Sequence, residues 1–257
     1  MLTPPARDSA MQVLSKVPEV TLIFWVIKIA ATTLGETAGD AVSMSLNLGY
    51  LLGTAIFAAN FFIAVFAQIK AKGFHPFLYW TTIIATTTVG TTMADYADRS
   101  LGIGYAGGST LLFVLLIASL TIWYRTLGTI SVASVNSPKA EVFYWVTIMF
   151  SQTLGTALGD WTASTAGLGY GGGALMFSAL LLLVVAAYYR SKISHTILFW
   201  AAFILTRPLG AVVGDFLDKP LADGGLALSR FSASAALLAF IVVCILLFEQ
   251  KASKQAH

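Results

Sequence analysis

Read as a string of apolar and polar positions, the chain is a series of long apolar stretches separated by short polar breaks. Eight of these stretches, near 19–42, 48–69, 76–97, 103–124, 138–161, 168–190, 193–216 and 226–248, are long enough to cross a hydrocarbon core as helices, which takes about 20 residues each. In the odd-numbered stretches the apolar run is interrupted at four-residue intervals, a spacing that collects the interruptions on one helix face. Counted toward an aspartate, they read Lys28, Thr32, Glu36, Asp40, then Ile83, Thr87, Thr91, Asp95, then Ile148, Gln152, Thr156, Asp160, and finally Phe203, Arg207, Ala211, Asp215. A polar sector therefore runs along each of these helices over several turns.

The stripes are part of a repeat. Trp25, Gly35 and Asp40 return as Trp80, Gly90 and Asp95, as Trp145, Gly155 and Asp160, and as Trp200, Gly210 and Asp215, with ten residues from Trp to Gly and fifteen from Trp to Asp in every copy. Each repeat holds two helices, so all copies share one orientation. The expected fold is an all-α integral membrane protein, with eight transmembrane helices arranged as four parallel tandem helical hairpins, pseudo-symmetric about the membrane normal. A tail over 1–18 precedes a single membrane domain over 19–248, with repeats at about 19–69, 76–124, 138–190 and 193–248, and a second tail covers 249–257.

Small residues four apart, Gly35 and Gly39, Gly90 and Ala94, Gly155 and Gly159, Gly210 and Gly214, predict close helix contact where lipid gives no hydrophobic drive for association. Three second helices open on Gly-Tyr (Gly49-Tyr50, Gly104-Tyr105, Gly169-Tyr170), whereas the fourth repeat keeps Gly224 inside a polar turn containing Asp218, Lys219, Pro220, Asp223 and Arg230.

Composition agrees with a membrane class: 57% hydrophobic, 11% charged, and a mean hydropathy of +0.81. The net charge of +3 does not point to nucleic acid, because the basic residues are sorted by side. Arg7, Lys16, Lys70, Lys72, Arg125, Lys139, Arg190, Lys192, Lys251 and Lys254 fall in the tails or after even-numbered helices, while Arg99, Lys219 and Arg230 fall on the other side. The positive-inside bias puts both termini in the cytoplasm of a multi-pass protein, and the first eighteen residues lack the apolar core of a signal peptide. The single Cys244 reads as a small buried apolar residue, and His75, His195 and His257 sit at expected membrane edges. No nucleophile constellation, phosphate loop or zinc spacing is present, so neither an enzyme nor a cofactor is expected.

Ionised side chains inside a hydrocarbon span face protein or water and tend to be functional. Lys28, Glu36 and Arg207 fall inside predicted spans, and Arg207 with Glu36 is the expected pairing between helices. Lys28 either joins the buried charges or snorkels to the cytoplasmic interface. Asp40, Asp95, Asp160 and Asp215 form either an outer ring that attracts cations or a lock made with Arg99, Lys219, Arg230 or neighbouring amides. The ligand atoms available are oxygens, including Thr32, Thr87, Gln152 and Asn60, which suit hard cations.

Four tandem two-helix units with Trp25, Trp80, Trp145 and Trp200 at one register resemble a bacterial membrane-protein family built from a tandem repeat of unknown function, over about residues 19–248. The resemblance implies a bacterial inner-membrane protein and brings no mechanism. The reading from the residues is a transporter or channel for a small hard cation. Asp40, Asp95, Asp160 and Asp215 would serve as outer attractors; Glu36 with Thr32, Thr87 and Gln152 as the deeper site; Glu36 and Asp40 as metal ligands; Lys28 and Arg207 as coupling charges. The partners expected are the bilayer, the cation and a second copy of the chain. The rival reading is a non-transporting sensor or assembly factor whose repeat is architectural.

Overall fold

The computed structural model describes residues 14–254, and among these the chain forms eight α-helices and no strand. They are α1 (Leu22–Asp40), α2 (Gly49–Lys70), α3 (Pro76–Asp95), α4 (Tyr105–Leu127), α5 (Pro138–Asp160), α6 (Gly169–Arg190), α7 (His195–Asp218) and α8 (Arg230–Leu247). Pro76 and Pro138 open their helices at the first turn, where a missing N–H costs nothing, and the Ser137 hydroxyl accepts from Ala140 N at 3.3 Å. Pro208 sits inside α7, which stays one helix across it. His257, Arg7 and most of the N-terminal tail lie outside the described residues.

In three repeats the odd helix widens after its aspartate into a π-helical turn, Ala41–Ser45, Tyr96–Ser100 and Trp161–Thr165, closed by bonds such as Leu46 N to Ala41 O at 3.0 Å. The chain then reverses through a glycine nine residues after each aspartate. Gly49, Gly104, Gly169 and Gly224 have φ of +73°, +77°, +64° and +84°, a region in which a Cβ is strained, so all four copies use glycine. The fourth repeat lacks the π turn, and α7 runs on to Asp218.

The four odd helices form a closed ring, α1 on α3, α3 on α5, α5 on α7 and α7 on α1. Each even helix packs outside this ring, but not on its partner in sequence. Helix α2 lies along α3, α4 along α5, α6 along α7, and α8 along α1, so the packed antiparallel pair is offset by one helix from the sequence repeat. This corrects the expected hairpins. In repeats one to three the two helices meet through the connecting π turn, whereas a short connection returns the even helix onto the next copy, and α8 closes the circle on the first helix.

Six helices, α1 with its π turn, α2, α4, α6, α7 and α8, are long and apolar enough to cross a membrane. The two that fall short, α3 and α5, are ring members whose threonines and charges face other helices, so they need not be apolar to be shielded from lipid. The even helices expose Leu52, Phe62, Phe66, Phe113, Leu182 and Phe240, an apolar surface that a water-soluble monomer does not carry. Six spanning-length apolar helices and this outward apolar surface suit a multi-pass membrane protein. Cys244 is buried in α8.

Ring closure depends on the paired small residues. A Cβ on Gly35 would overlap the Thr87 side chain, on Gly155 that of Arg207, and on Gly210 that of Thr32, while on Gly90 it would come within 3.1 Å of Gln152 backbone. Each glycine thus seats a stripe residue of the next helix round the ring. Gly155→Ala and Gly210→Ala are expected to destabilise by about 1–3 kcal/mol through overpacking. Gly73→Ala, where a Cβ meets nothing within 4 Å, should be neutral in the same thermal-unfolding measurement in detergent.

Candidate functional site

The ring turns the sequence stripes into a stack of four-membered layers along one axis, with every stripe residue buried and none more than 5% exposed. Successive layers are about 6 Å apart, four residues at about 1.5 Å each. The first holds Lys28, Ile83, Ile148 and Phe203; the second Thr32, Thr87, Gln152 and Arg207; the third Glu36, Thr91, Thr156 and Ala211; the fourth the aspartates.

Beyond the first layer, at the Trp end, an aromatic ring closes the axis. The residue before each tryptophan reaches the tryptophan of the next repeat. Phe24 meets Trp80 at 5.4 Å between centroids, Tyr79 meets Trp145 at 5.9 Å, Tyr144 meets Trp200 at 6.2 Å, and Phe199 meets Trp25 at 5.8 Å. The Tyr79 and Tyr144 hydroxyls share a hydrogen bond of 2.7 Å across the centre. This plug had a signal in the sequence, an aromatic before every repeat tryptophan, that the spacing of Trp, Gly and Asp alone does not bring out. Both tails cover the same end. Lys16 donates to Glu141 at 2.7 Å and to the carbonyls of Gln68 and Ile69, and Pro18 bridges to Ala252. Lys16 and Glu141 are buried, so part of the expected free tail is folded onto the bundle.

In the middle layers the expected pair forms. An Arg207 Nη donates to Glu36 Oε2 at 2.9 Å, and the same nitrogen reaches the hydroxyls of Thr91, at 2.6 Å, and Thr156. Thr91 also donates to the Gly35 carbonyl at 3.1 Å. One guanidinium from α7 therefore joins α1, α3 and α5. Lys28 does not snorkel: it is fully buried, its Nζ 4.1 Å from the Phe203 ring centroid and 3.5 Å from the Thr206 hydroxyl, with no carboxylate at ion-pair distance among the described residues. Thr32 and Thr87 spend their hydroxyls on backbone carbonyls, partly across to the neighbouring helix, Thr206 O for Thr32 and Ala31 O for Thr87. Gln152 is fully buried and neither amide atom has a hydrogen-bond partner among the described residues. Asn60 is exposed on α2, outside the ring, so its distance from the axis removes it from the ligand set.

The aspartate layer is not an open vestibule. Its carboxylates are buried and shared between cations: Arg99 Nε lies 2.9 Å from Asp95 and an Arg99 Nη 3.4 Å from Asp160, while Lys219 Nζ contacts Asp40 and lies 3.0 Å from Asp215. Arg230 lies 3.1 Å from Asp218 and 3.8 Å from Asp40. Burial alone would lower the Lys219 pKa, but the carboxylates of Asp215, Asp40 and Asp218 outweigh it and hold the ammonium above the ordinary lysine value. Beneath Lys219, one carboxylate oxygen from each of Glu36, Asp40 and Asp215 lies within 4.8 Å of the others. The sequence reading placed Glu36 and Asp40 together as ligands; the ring adds Asp215, which no spacing within one repeat would bring there. Asp95 and Asp160 sit on the other half, around Arg99.

The fourth connection folds as a lid over the Lys219 half. Leu226 N donates to Phe216 O at 2.7 Å, Ala227 N to Lys219 O at 2.9 Å, and Leu228 N to Leu217 O at 2.9 Å. The departure of repeat four from the common turn thus delivers Lys219 and Arg230 to the axis.

Residues 23–74, 78–129, 143–194 and 198–249 each match one family model, described as a Repeat of Unknown Function (DUF347). No curated protein and no solved structure matches the chain. The helical ring is therefore the form taken by four tandem copies of that repeat, and the chain belongs to this family of unknown function.

Proposed function

We propose that the protein carries a small hard cation across a bacterial inner membrane, with Glu36, Asp40 and Asp215 as the ligands it meets in the axis. The observation that carries this reading is the convergence of those three buried carboxylates on one point of a polar axis, beside the Lys219 ammonium. Three carboxylates against the Arg207 guanidinium leave two negative charges, one of them offset by Lys219. With Lys219 withdrawn, the balance and the all-oxygen ligands suit a divalent ion such as Mn²⁺ or Mg²⁺. The axis is covered at one end by the aromatic ring and at the other by Arg99 over one half and the lid with Lys219 over the other, which favours a carrier that opens one end at a time over an open channel. Lys28 and Arg207 act as the internal counter-charges. In this reading α3 and α5 span with the other six helices, and the excess of basic residues at the Trp end keeps both termini cytoplasmic.

Equilibrium binding of Mn²⁺ to the purified protein, followed by electron paramagnetic resonance, tests it. The expected result is saturable binding that Glu36→Gln and Asp215→Asn weaken by about tenfold or more, the loss of roughly 1.4 kcal/mol or more per carboxylate. Binding that both variants leave unchanged contradicts the site.

The sharing of all four repeated aspartates between Arg99 and Lys219 favours a second reading, a sensor or assembly factor in which the charges only lock the ring. That reading predicts lost stability and no ion dependence in the same variants.

A further inference from the structure

The four repeat tryptophans occupy equivalent places in the ring and are not equally covered. Trp80, Trp145 and Trp200 are 1–3% exposed. The Trp80 Nε1 donates to Gln250 Oε1 at 2.7 Å, and that of Trp200 to Ile130 O at 3.0 Å, so the C-terminal tail and the α4–α5 connection reach two of them. At Trp25 the corresponding connection, residues 191–194, is short and does not cover it. Trp25 is partly exposed on the wall of a groove of about 430 Å³ between α1, α6 and α7.

The walls are apolar, with Trp25, Ile29, Leu181, Val185, Leu198 and Ala202, and face outward from the bundle. Tyr188, Tyr189 and His195 form the rim, His195 stacked on Tyr188 at 4.6 Å. Arg190 and Lys192 are exposed on the chain that joins Tyr189 to His195. Glu19, next in sequence to the groove residue Val20, lines an adjoining small cleft with Thr21, Glu249, Gln250 and Lys251, on the α1 side, whereas Arg190 and Lys192 stand on the α6–α7 side. From Thr21 to Ile29 the groove runs about 12 Å along α1. At its floor is Thr206, whose hydroxyl is 3.5 Å from the buried Lys28 ammonium.

We infer that this groove is a binding site for one anionic phospholipid, its acyl chain along Trp25 and Ile29 and its phosphate at Arg190 and Lys192. An apolar cleft on a lipid-facing surface takes lipid chains, and two exposed basic residues on the connection between the rim residues Tyr189 and His195 select an anionic headgroup. The lipid covers Trp25 as the chain's own segments cover Trp80 and Trp200, and it lies one side chain from the charged axis. The inference does not depend on transport.

Native mass spectrometry of the protein released from nanodiscs of phosphatidylcholine containing a minor fraction of phosphatidylglycerol tests it. The wild type is expected to retain one phosphatidylglycerol with about thirtyfold preference over phosphatidylcholine, the scale set by two basic contacts of about 1 kcal/mol each. Arg190→Gln with Lys192→Gln removes the preference but leaves a lipid bound; Ala202→Phe, which fills the groove, removes the lipid. Arg125→Gln with Lys139→Gln, exposed basic residues at the same end but outside the groove, changes nothing. Equal loss of preference in that control pair, or a lipid retained by Ala202→Phe, overturns the inference.

Discussion

Arg207→Met is expected to lower the unfolding free energy by about 3–5 kcal/mol, the largest stability loss of any single change in the axis. The guanidinium is fully buried and its partners are Glu36, Thr91 and Thr156 from three other helices, with the Thr32 carbonyl at 3.5 Å. Removing it strands the Glu36 carboxylate in a dry site and takes one donor from each of two hydroxyls, which costs more than the bond itself contributes. Arg207→Met combined with Glu36→Met removes both charges with bulky apolar replacements, and should recover most of the loss. Chemical denaturation in detergent of the two single variants and the double gives the coupling directly. A single-variant loss near zero, like that of an exposed ion pair at about 0–1 kcal/mol, would show that the axis is wet.

Lys219→Met is expected to raise divalent-cation affinity by about tenfold, roughly the 1.4 kcal/mol of one displaced ion pair. The ammonium contacts Asp40 and lies 3.0 Å from Asp215, two of the three converging ligands, so a cation entering from the lid end must first move it. The same contacts hold the lid, so the variant also loosens that end. Because the Lys219 pKa is raised, its contribution to stability is fully present below the ordinary lysine pKa of about 10.4 and is lost only as pH rises through the higher folded value. Wild type should therefore show no Lys219-dependent change between neutral pH and that range. Lys219→Arg, which keeps the charge, should bind cation like wild type, and this separates competition for the carboxylates from simple loosening of the lid.

The repeat spacing made much of this architecture legible. Trp, Gly and Asp at fixed offsets imply equivalent helices, the four-residue stripe implies a shared face, and together they give the layered axis and the Arg207–Glu36 pair. The offset packing of α2 on α3 was not legible, because an even helix is adjacent in sequence to both odd helices and only the geometry of the π turn and positive-φ glycine decides between them. Lys16 and Glu141 sit in or beside segments that look solvent-facing, and their burial follows from a tail folding across the bundle end. The division of the aspartates into an Arg99 half and a Lys219 half follows from which connections carry a cation, and a motif common to all copies has no way to express it. Lys28 shows the same limit: its position near a helix start suits snorkelling, but the aromatic layer beyond it closes that route.

Mn²⁺ uptake by proteoliposomes containing the purified protein tests whether the buried carboxylates under Lys219 form a transport site. Wild type is expected to show saturable, gradient-driven uptake, Asp215→Asn to lose about tenfold or more from one missing ligand, and Lys219→Met to take up the ion at lower concentrations. Folded wild-type protein that moves no Mn²⁺, Mg²⁺, Ca²⁺, Na⁺ or protons under any gradient would contradict it, and would leave the charged axis as the lock that holds four repeats in a ring.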